Sequence, residues 1–540
     1  MLLPRPASVA RTGDDGFLVG ESTHICAPAE VLPTAQHLQA TLRPATGLPL
    51  PIGEATDPTS SIALSVDADL PAASYRLVSG AQGVSITGGD PAGVFYGCQS
   101  LLQLLPAAVF RQAPVKDVRW SIPAVVVEDV PRFAWRGALL DVARHFIPKH
   151  DVLRFVDLMA MHKLNILHLH LTDDQGWRLE IRRYPKLVST GAWRSESQLG
   201  AAPDSPSDGR PHGGFYTQDD MREIVGYAAA RFVTIVPEVD VPGHSKAAIA
   251  AYPELGVTGR QVEVSTHWGV EHDVLNTEDS TVQFYLDVFD EIMELFPGPF
   301  IGVGGDECPK DQWQADPRTQ QLMRERGLDT EAELESWFIS RIGTHVRALG
   351  RRLYGWDELL DGPVPKDTLI GAWRGAARAV EAARKGFDVV SCPVDRVYLD
   401  FRQSESPDEP VPVAIPLTLE RVYAFEPVPA GLTTDEAAHI IGGQANIWTE
   451  HMDSARVVHY FAFPRLCAIA EVLWSTGERD YDDFSDRLRE HLRRLDAVGV
   501  EYRREGGPLP WQLRPGVRGR PVAFAEWEAF IRDLVSGKLY

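Results

Sequence analysis

The sequence is short of positive charge. Its 540 residues carry 53 Lys and Arg against 75 Asp and Glu, a formal net charge of −22. Nucleic acids and anionic membrane surfaces are bound through a basic footprint, so neither is an expected partner. Long apolar runs are missing too: none reaches the roughly 18 residues that a membrane-crossing helix needs. Cysteine is sparse. Cys26, Cys98, Cys308, Cys392 and Cys467 are scattered, odd in number and never spaced C-x-x-C. Reduced thiols are expected rather than a zinc site or a disulfide framework. The opening Met1-Leu2-Leu3-Pro4-Arg5-Pro6 has no charged segment leading into an apolar core, the signature of a signal peptide. The expectation is a cytoplasmic protein, with secretion after loss of a signal peptide as the alternative.

What is present is ordinary globular composition, 44% hydrophobic and 24% charged, in a chain too long for one core. Residues 1–130 mix strand patterns (Ser61–Val66, Tyr75–Val78, Val84–Thr87, Ala124–Val127) with helical ones (Thr34–Leu42, Asp90–Leu105) and predict a small α+β domain. From Trp135 onward apolar β-rich runs alternate with helical patterns, as a parallel α/β sheet requires. The runs are Gly137–Val142, Ile166–Leu171, Val233–Val239, Phe300–Gly304, Arg352–Gly355, Leu369–Ala372, Val389–Cys392 and Ile440–Ala445. Eight such units predict an α/β fold with a (β/α)8 barrel over residues 131–505. Ser195–Gly214 reads as a surface insertion, Ala455–Leu473 as a helix, and residues 506–540 as a tail packing on the barrel.

In such a barrel the site lies at the C-terminal ends of the strands. Those positions hold Asp141 and Arg144; Asp173 and Asp174; Glu238, Asp240 and His244; Asp306 and Glu307; Trp356, Asp357 and Glu358; Trp373 and Arg374; Asp395, Tyr398 and Asp400; Trp448 and Glu450. Carboxylates and tryptophans gather at one end while the strand bodies stay apolar. Indoles suit stacking on sugar faces and carboxylates suit hydroxyls, so a carbohydrate site is expected. Glycoside cleavage usually takes two carboxyl groups across the sugar. Asp306 and Glu307 are neighbours and point different ways. Glu307 is therefore read as general acid/base, with Asp306 as a helper beside the anomeric carbon.

Gly304-Gly305-Asp306-Glu307 resembles the fourth-strand motif of glycoside hydrolase family 20, the β-N-acetylhexosaminidases. Arg136 to Phe146, His168 to Trp177 and Pro237 to His244 resemble the three preceding motifs. Gly355-Trp356-Asp357-Glu358, Trp373-Arg374, Tyr398-Leu399-Asp400 and Trp448-Thr449-Glu450 follow in the family's order, a resemblance strong over about 131–480. It implies an exo-acting retaining hydrolase of terminal β-linked N-acetylglucosamine or N-acetylgalactosamine on an oligosaccharide or glycoconjugate. The nucleophile is then the substrate's own acetamido oxygen, an exception to the two-carboxylate rule. The resemblance makes Glu307 the acid/base and gives Asp306 the acetamido nitrogen and Tyr398 its oxygen. Trp356, Trp373 and Trp448 become the walls that fold the acetamido group. Arg144, Asp400 and Glu450 hold hydroxyls, and Asp173 and His244 form a relay behind Glu307. No His/Cys ligand spacing is present, so no metal is expected, and no cofactor.

Blander readings stand beside these. His168 and His170 are expected to pack inside the barrel, His162 to be an ordinary helix residue, and Cys308 a small packing residue. Asp141 and Asp174 are expected to be structural ion-pair partners, and Glu238 and Asp240 to belong to a polar network behind the site. A retaining β-glycosidase using Asp395 or Asp400 as nucleophile, and a non-catalytic sugar-binding barrel, are the alternatives.

Overall fold

The computed structural model of the chain describes residues 2–54 and 58–535. The N-terminal domain is a six-stranded mixed sheet in the order Ser8–Arg11, Val125–Asp129, Tyr75–Gly80, Gly83–Gly88, Ser61–Val66, His24–Cys26. Helices Leu32–Thr46 and Pro91–Leu104 accompany it. The second begins as its sequence dictates, with Pro91 at the first helical position and the Asp90 carboxylate accepting from the Gly93 N–H.

Eight strands then close a parallel barrel: Trp135–Asp141, Ile166–His170, Thr234–Glu238, Phe300–Gly302, Arg352–Trp356, Leu369–Ala372, Val389–Ser391 and Ile440–Ile447. Each of the eight predicted runs falls on one of them. Trp135, Ile166, Val236, Tyr354, Leu369 and Val390 pack together as one buried cluster, with Trp135 stacked on Tyr354 at 5.8 Å. The barrel is thus a packed core with its chemistry confined to the mouth.

Two expectations change. The helix predicted over Ala455–Leu473 is two helices, Ala455–Ala462 and Arg465–Trp474, bent by 56°. Pro464 cannot donate the backbone bond that would carry one helix into the next. The insertion Ser195–Gly214 is largely loop, but His212–Gly213 pairs with Trp193–Arg194. Through that pairing Arg194 is carried inward, where it donates to the carbonyl of Arg144 at 2.7 Å.

Asp129 joins the domains. Its buried carboxylate accepts from Tyr75 Oη at 2.7 Å, Lys163 Nζ at 2.9 Å and Trp474 Nε1 at 2.9 Å. Tyr75 belongs to the sheet, and Lys163 and Trp474 to the barrel. The tail crosses to the opposite end. Arg520–Pro521 pairs with Val413–Ala414 beyond the seventh strand, and the helix Phe524–Val535 follows.

Candidate active site

The fourth strand ends at Gly302, and the chain turns through Gly304 (φ +63°) and Gly305 (φ +83°). A side chain at Gly304 would put its Cβ 1.9 Å from Asp240 Oδ1, and the same oxygen accepts the Gly305 N–H at 3.1 Å. Glycine is what lets the third-strand carboxylate lie against this turn. Glu307 (φ +47°) and His244 (φ +46°) both occupy the left-handed region, uncommon for either residue type and concentrated at functional sites.

A chain of buried side chains runs back from Glu307. His244 Nε2 is 3.6 Å from Glu307 Oε2, and His244 Nδ1 lies 3.1 Å from Asp174 and 3.3 Å from Asp173. Asp173 also meets Arg144 at 3.0 Å and His170 Nε2 at 2.8 Å. The other His170 nitrogen is 2.5 Å from Glu238, whose second oxygen is 2.9 Å from His168. Burial would strip His244 of its proton, but the Asp173 carboxylate and its neighbours hold it well above the ordinary histidine range. Asp173 is the counterpart: burial disfavours its charge, yet Arg144 and His244 keep it well below the carboxylate range. His170, despite burial, is pushed up to about 9 by its bonds to Asp173 and Glu238. The imidazole behind Glu307 is therefore one whose carboxylate partners favour its protonated form.

Asp306 has the opposite environment. Burial, and next the carboxyl of Asp240 beside it, push its carboxyl well above the carboxylate range; Asp240 is itself raised, chiefly by burial. Around it lies a cavity of ≈ 580 Å³ whose lining includes Arg144, Asp306, Glu307, Trp373, Tyr398, Asp400, Trp448 and Glu450. Trp356 is 1% exposed beneath it, tilted against Trp448 at 6.2 Å. Trp373 stacks near Tyr398 at 6.2 Å. The Arg144 guanidinium sits 4.9 Å from the Trp448 ring. Burial and mutual repulsion raise Asp400 well above the usual range, and burial raises Glu450 as well. Asp306 Oδ1, Asp400 Oδ1 and Trp448 Nε1 are buried without a hydrogen-bond partner. Such groups are rare in native proteins, and three on residues lining one cavity point to a polar ligand that completes them.

Every site residue expected from the sequence lines this cavity, floors it, or stands directly behind Glu307. Asp395 does not: it pairs with Arg396 and Arg421 and lines a different cavity. His168 and His170 are more than packing, since both bond to Glu238. Asp174 is an ion-pair partner as expected, and the partner is His244, at 3.1 Å. His162, at its helix terminus, meets buried His491 at 2.9 Å. Glu358 went unassigned, although it accepts the Trp373 indole N–H at 3.0 Å and so sets that wall. Its place after the fifth strand was the available signal. Glu526, Trp527 and Phe530 of the tail also line the cavity, and no motif announced them.

Among the described residues, four clusters of His, Cys and acidic side chains come close enough to ligate a cation: His162-Cys467-His491, His170-Asp173-Asp240, Asp173-Asp174-His244 and Asp240-His244-Asp306. In the last three, the histidine nitrogens already face carboxylates. A larger cavity of ≈ 740 Å³ lies where the domains meet, but no carboxylate lines it.

The chain spans two family models, the glycosyl hydrolase family 20 catalytic domain over residues 133–477 and that family's domain 2 over residues 1–130. It is 41% identical over 532 residues to a β-hexosaminidase of Porphyromonas gingivalis, covering 97% of this chain and 66% of that protein. It is 33% identical to a β-N-acetylhexosaminidase of Cellulomonas fimi, covering 82% of this chain and 83% of the relative. Among solved structures, the family 20 β-N-acetylhexosaminidase of Streptomyces coelicolor superposes with a TM-score of 0.81 at 34% identity, covering 94% and 98% of the two chains. A mutant Streptomyces plicatus β-hexosaminidase in complex with its product, GlcNAc, matches with the same TM-score at 33% identity, covering 95% and 97%. With its strand-end carboxylates and tryptophans set around one cavity, the chain belongs to glycosyl hydrolase family 20.

Proposed function

We propose that the protein is an exo-acting β-N-acetylhexosaminidase. It removes a terminal, non-reducing β-linked N-acetylglucosamine or N-acetylgalactosamine with retention, and the substrate's acetamido oxygen is the nucleophile. The observation that carries this is the environment of Asp306. Its carboxyl is destabilised as an anion by burial and by Asp240, and its Oδ1 has no partner. An acetamido N–H fits that oxygen. As positive charge develops on the nitrogen, the Asp306 anion is stabilised most in the intermediate, which is how binding becomes catalysis.

The reaction then has two steps. Glu307 gives its proton to the glycosidic oxygen as the acetamido oxygen attacks C1, so that one C–O bond breaks, another forms, and a cyclic oxazolinium results. Glu307 next takes a proton from water as the water adds to C1, reopening the ring with the original configuration. Tyr398 and the tryptophans hold the acetamido group against C1, which raises its effective concentration. Arg144, Asp400 and Glu450 bind hydroxyls.

A chromogenic N-acetylglucosaminide assayed beside the matching glucoside tests this. Turnover should be confined to the acetamido sugar, and a thiazoline that mimics the cyclised intermediate should bind far more tightly than N-acetylglucosamine. Trapping of a covalent adduct on Asp400 by a 2-deoxy-2-fluoro glucoside would install a protein nucleophile instead.

A further inference from the structure

Two cavities meet at Glu307. One is the site itself; the other, of ≈ 410 Å³, is lined by Glu307 together with Glu335, Glu358 and Arg374. Both are walled by the same element, the C-terminal helix Phe524–Val535. Trp527 and Phe530 face the first and Leu534 the second. Trp527, Ile531 and Leu534 recur at i, i+4 and i+7, the inward stripe of an amphipathic helix, and Leu534 is 2% exposed.

The helix is fastened in place. Arg520 N–H donates to the Pro412 carbonyl at 2.9 Å and Val522 N–H to the Ala414 carbonyl at 3.0 Å. Arg402 donates to the Val522 carbonyl at 3.2 Å, and Arg421 lies 4.6 Å from the Phe524 ring. The Trp527 ring meets Phe401 edge to face at 5.2 Å, and Phe401 in turn meets Tyr398 at 6.0 Å. Its indole Nε1 is buried without a partner.

Resting on the hexosaminidase reading, we infer that this helix forms the subsite for the leaving group and that the group it takes is a pyranose. The glycosidic oxygen must lie within hydrogen-bond reach of Glu307. The terminal sugar occupies the tryptophan floor towards Arg144, Asp400 and Glu450. The group beyond the cleaved bond therefore emerges beside Glu307, between the barrel rim and the tail. There it meets an indole face, an unpartnered N–H and the carboxylate of Glu526. Apolar faces bordered by polar groups match a pyranose, with its C–H face and ring of hydroxyls.

The test uses full-length Trp527→Ala and Trp527→Phe. For a β-linked N-acetylglucosaminyl disaccharide, kcat/KM should fall on the order of 10-fold in Trp527→Ala, the loss typical of an aromatic anchor, and recover largely in Trp527→Phe. Inhibition by the thiazoline, which fills only the terminal-sugar site, should stay within about two-fold. Calorimetry in a Glu307→Gln background gives a readout independent of turnover: the affinity gap between disaccharide and monosaccharide should close when Trp527→Ala is added. Equal losses for disaccharide and thiazoline, no loss for either, or a gain on the disaccharide would overturn the inference, the last by making the helix an obstruction. Absence of N-acetylhexosaminide turnover by the wild type would sink the hexosaminidase reading alone, since the calorimetric gap would still decide the subsite.

Discussion

His244 Nε2 faces Glu307 Oε2 at 3.6 Å while Asp173 and Asp174 hold the opposite ring nitrogen. On the proposed mechanism, the carboxyl that gives up a proton and takes it back thus has behind it an imidazole whose protonated form Asp173 and Asp174 favour. The Asp306 carboxyl, one residue earlier, lies among other carboxyl groups instead, Asp240 foremost. Two adjacent acids thus face different surroundings, an imidazole behind one and carboxyls beside the other.

That division predicts different substrate dependence for two isosteric variants. Glu307→Gln should lose ~10²–10⁴-fold on substrates whose leaving oxygen needs a proton, and far less on strongly activated aryl glycosides. Asp306→Asn should be impaired on both, since it acts on formation of the cyclic intermediate. Rates across a series of aryl glycosides check this; parallel slopes for the two variants would erase the distinction.

The charge on His244 should also be visible in stability. An imidazole raised by its folded partners contributes stability that is complete below the unfolded histidine value near 6.5 and is lost as pH rises through its higher folded value. His170, raised to about 9, acts in the same sense. Melting temperature of the ligand-free protein should therefore decline from about pH 6.5 upward. His244→Asn should flatten that decline, and identical slopes in both proteins would mean the ring is neutral.

Trp373 and Glu358 should behave as a pair. Trp373→Ala is expected to reduce kcat/KM on the order of 10²-fold, as a displaced reacting group does, with a modest thermal effect because the ring borders an open cavity. Glu358→Gln keeps an acceptor for the indole N–H and should be mild, whereas Glu358→Ala frees the ring to turn and should approach the Trp373 defect. Collapse of the fold in Trp373→Ala without a selective kinetic loss would return this indole to the core.

Gly304→Ala should be severe for so small a change. A left-handed conformation costs a non-glycine residue roughly 1–2 kcal/mol, and the added Cβ would also collide with Asp240. Denaturant unfolding should show a loss above about 2 kcal/mol together with lost turnover; a neutral result would mean that the turn can relax around the methyl group.

The barrel was legible because buried parallel strands are nearly continuous apolar runs, and each of the eight announced itself. The site was legible because polar residues clustered where those runs stopped. Identity is easier to read there than orientation. Asp240 and Glu358 stood in plain view at strand ends, yet only the folded chain shows that one sets the charge of Asp306 and the other aims Trp373. The break at Pro464 was overlooked because apolar periodicity runs through it on both sides. Trp527 lies 220 positions beyond Glu307 by the numbering of the chain, and no local pattern ties a tail helix to a distant strand end.

The meeting of Tyr75, Lys163 and Trp474 on Asp129 bears on how the enzyme can be trimmed. A designer seeking a minimal catalyst would keep residues 133–477 and discard the rest. That cut would strip Lys163 of Tyr75 and Asp129, its partners in the small domain, and would uncover Phe232 and Trp474, which now pack against Phe95 and Tyr96, leaving an exposed apolar face on the barrel. The small domain is thus better regarded as the barrel's missing underside than as an optional module, and a usable short form would need Phe232 and its uncovered neighbours replaced by polar residues along with the cut.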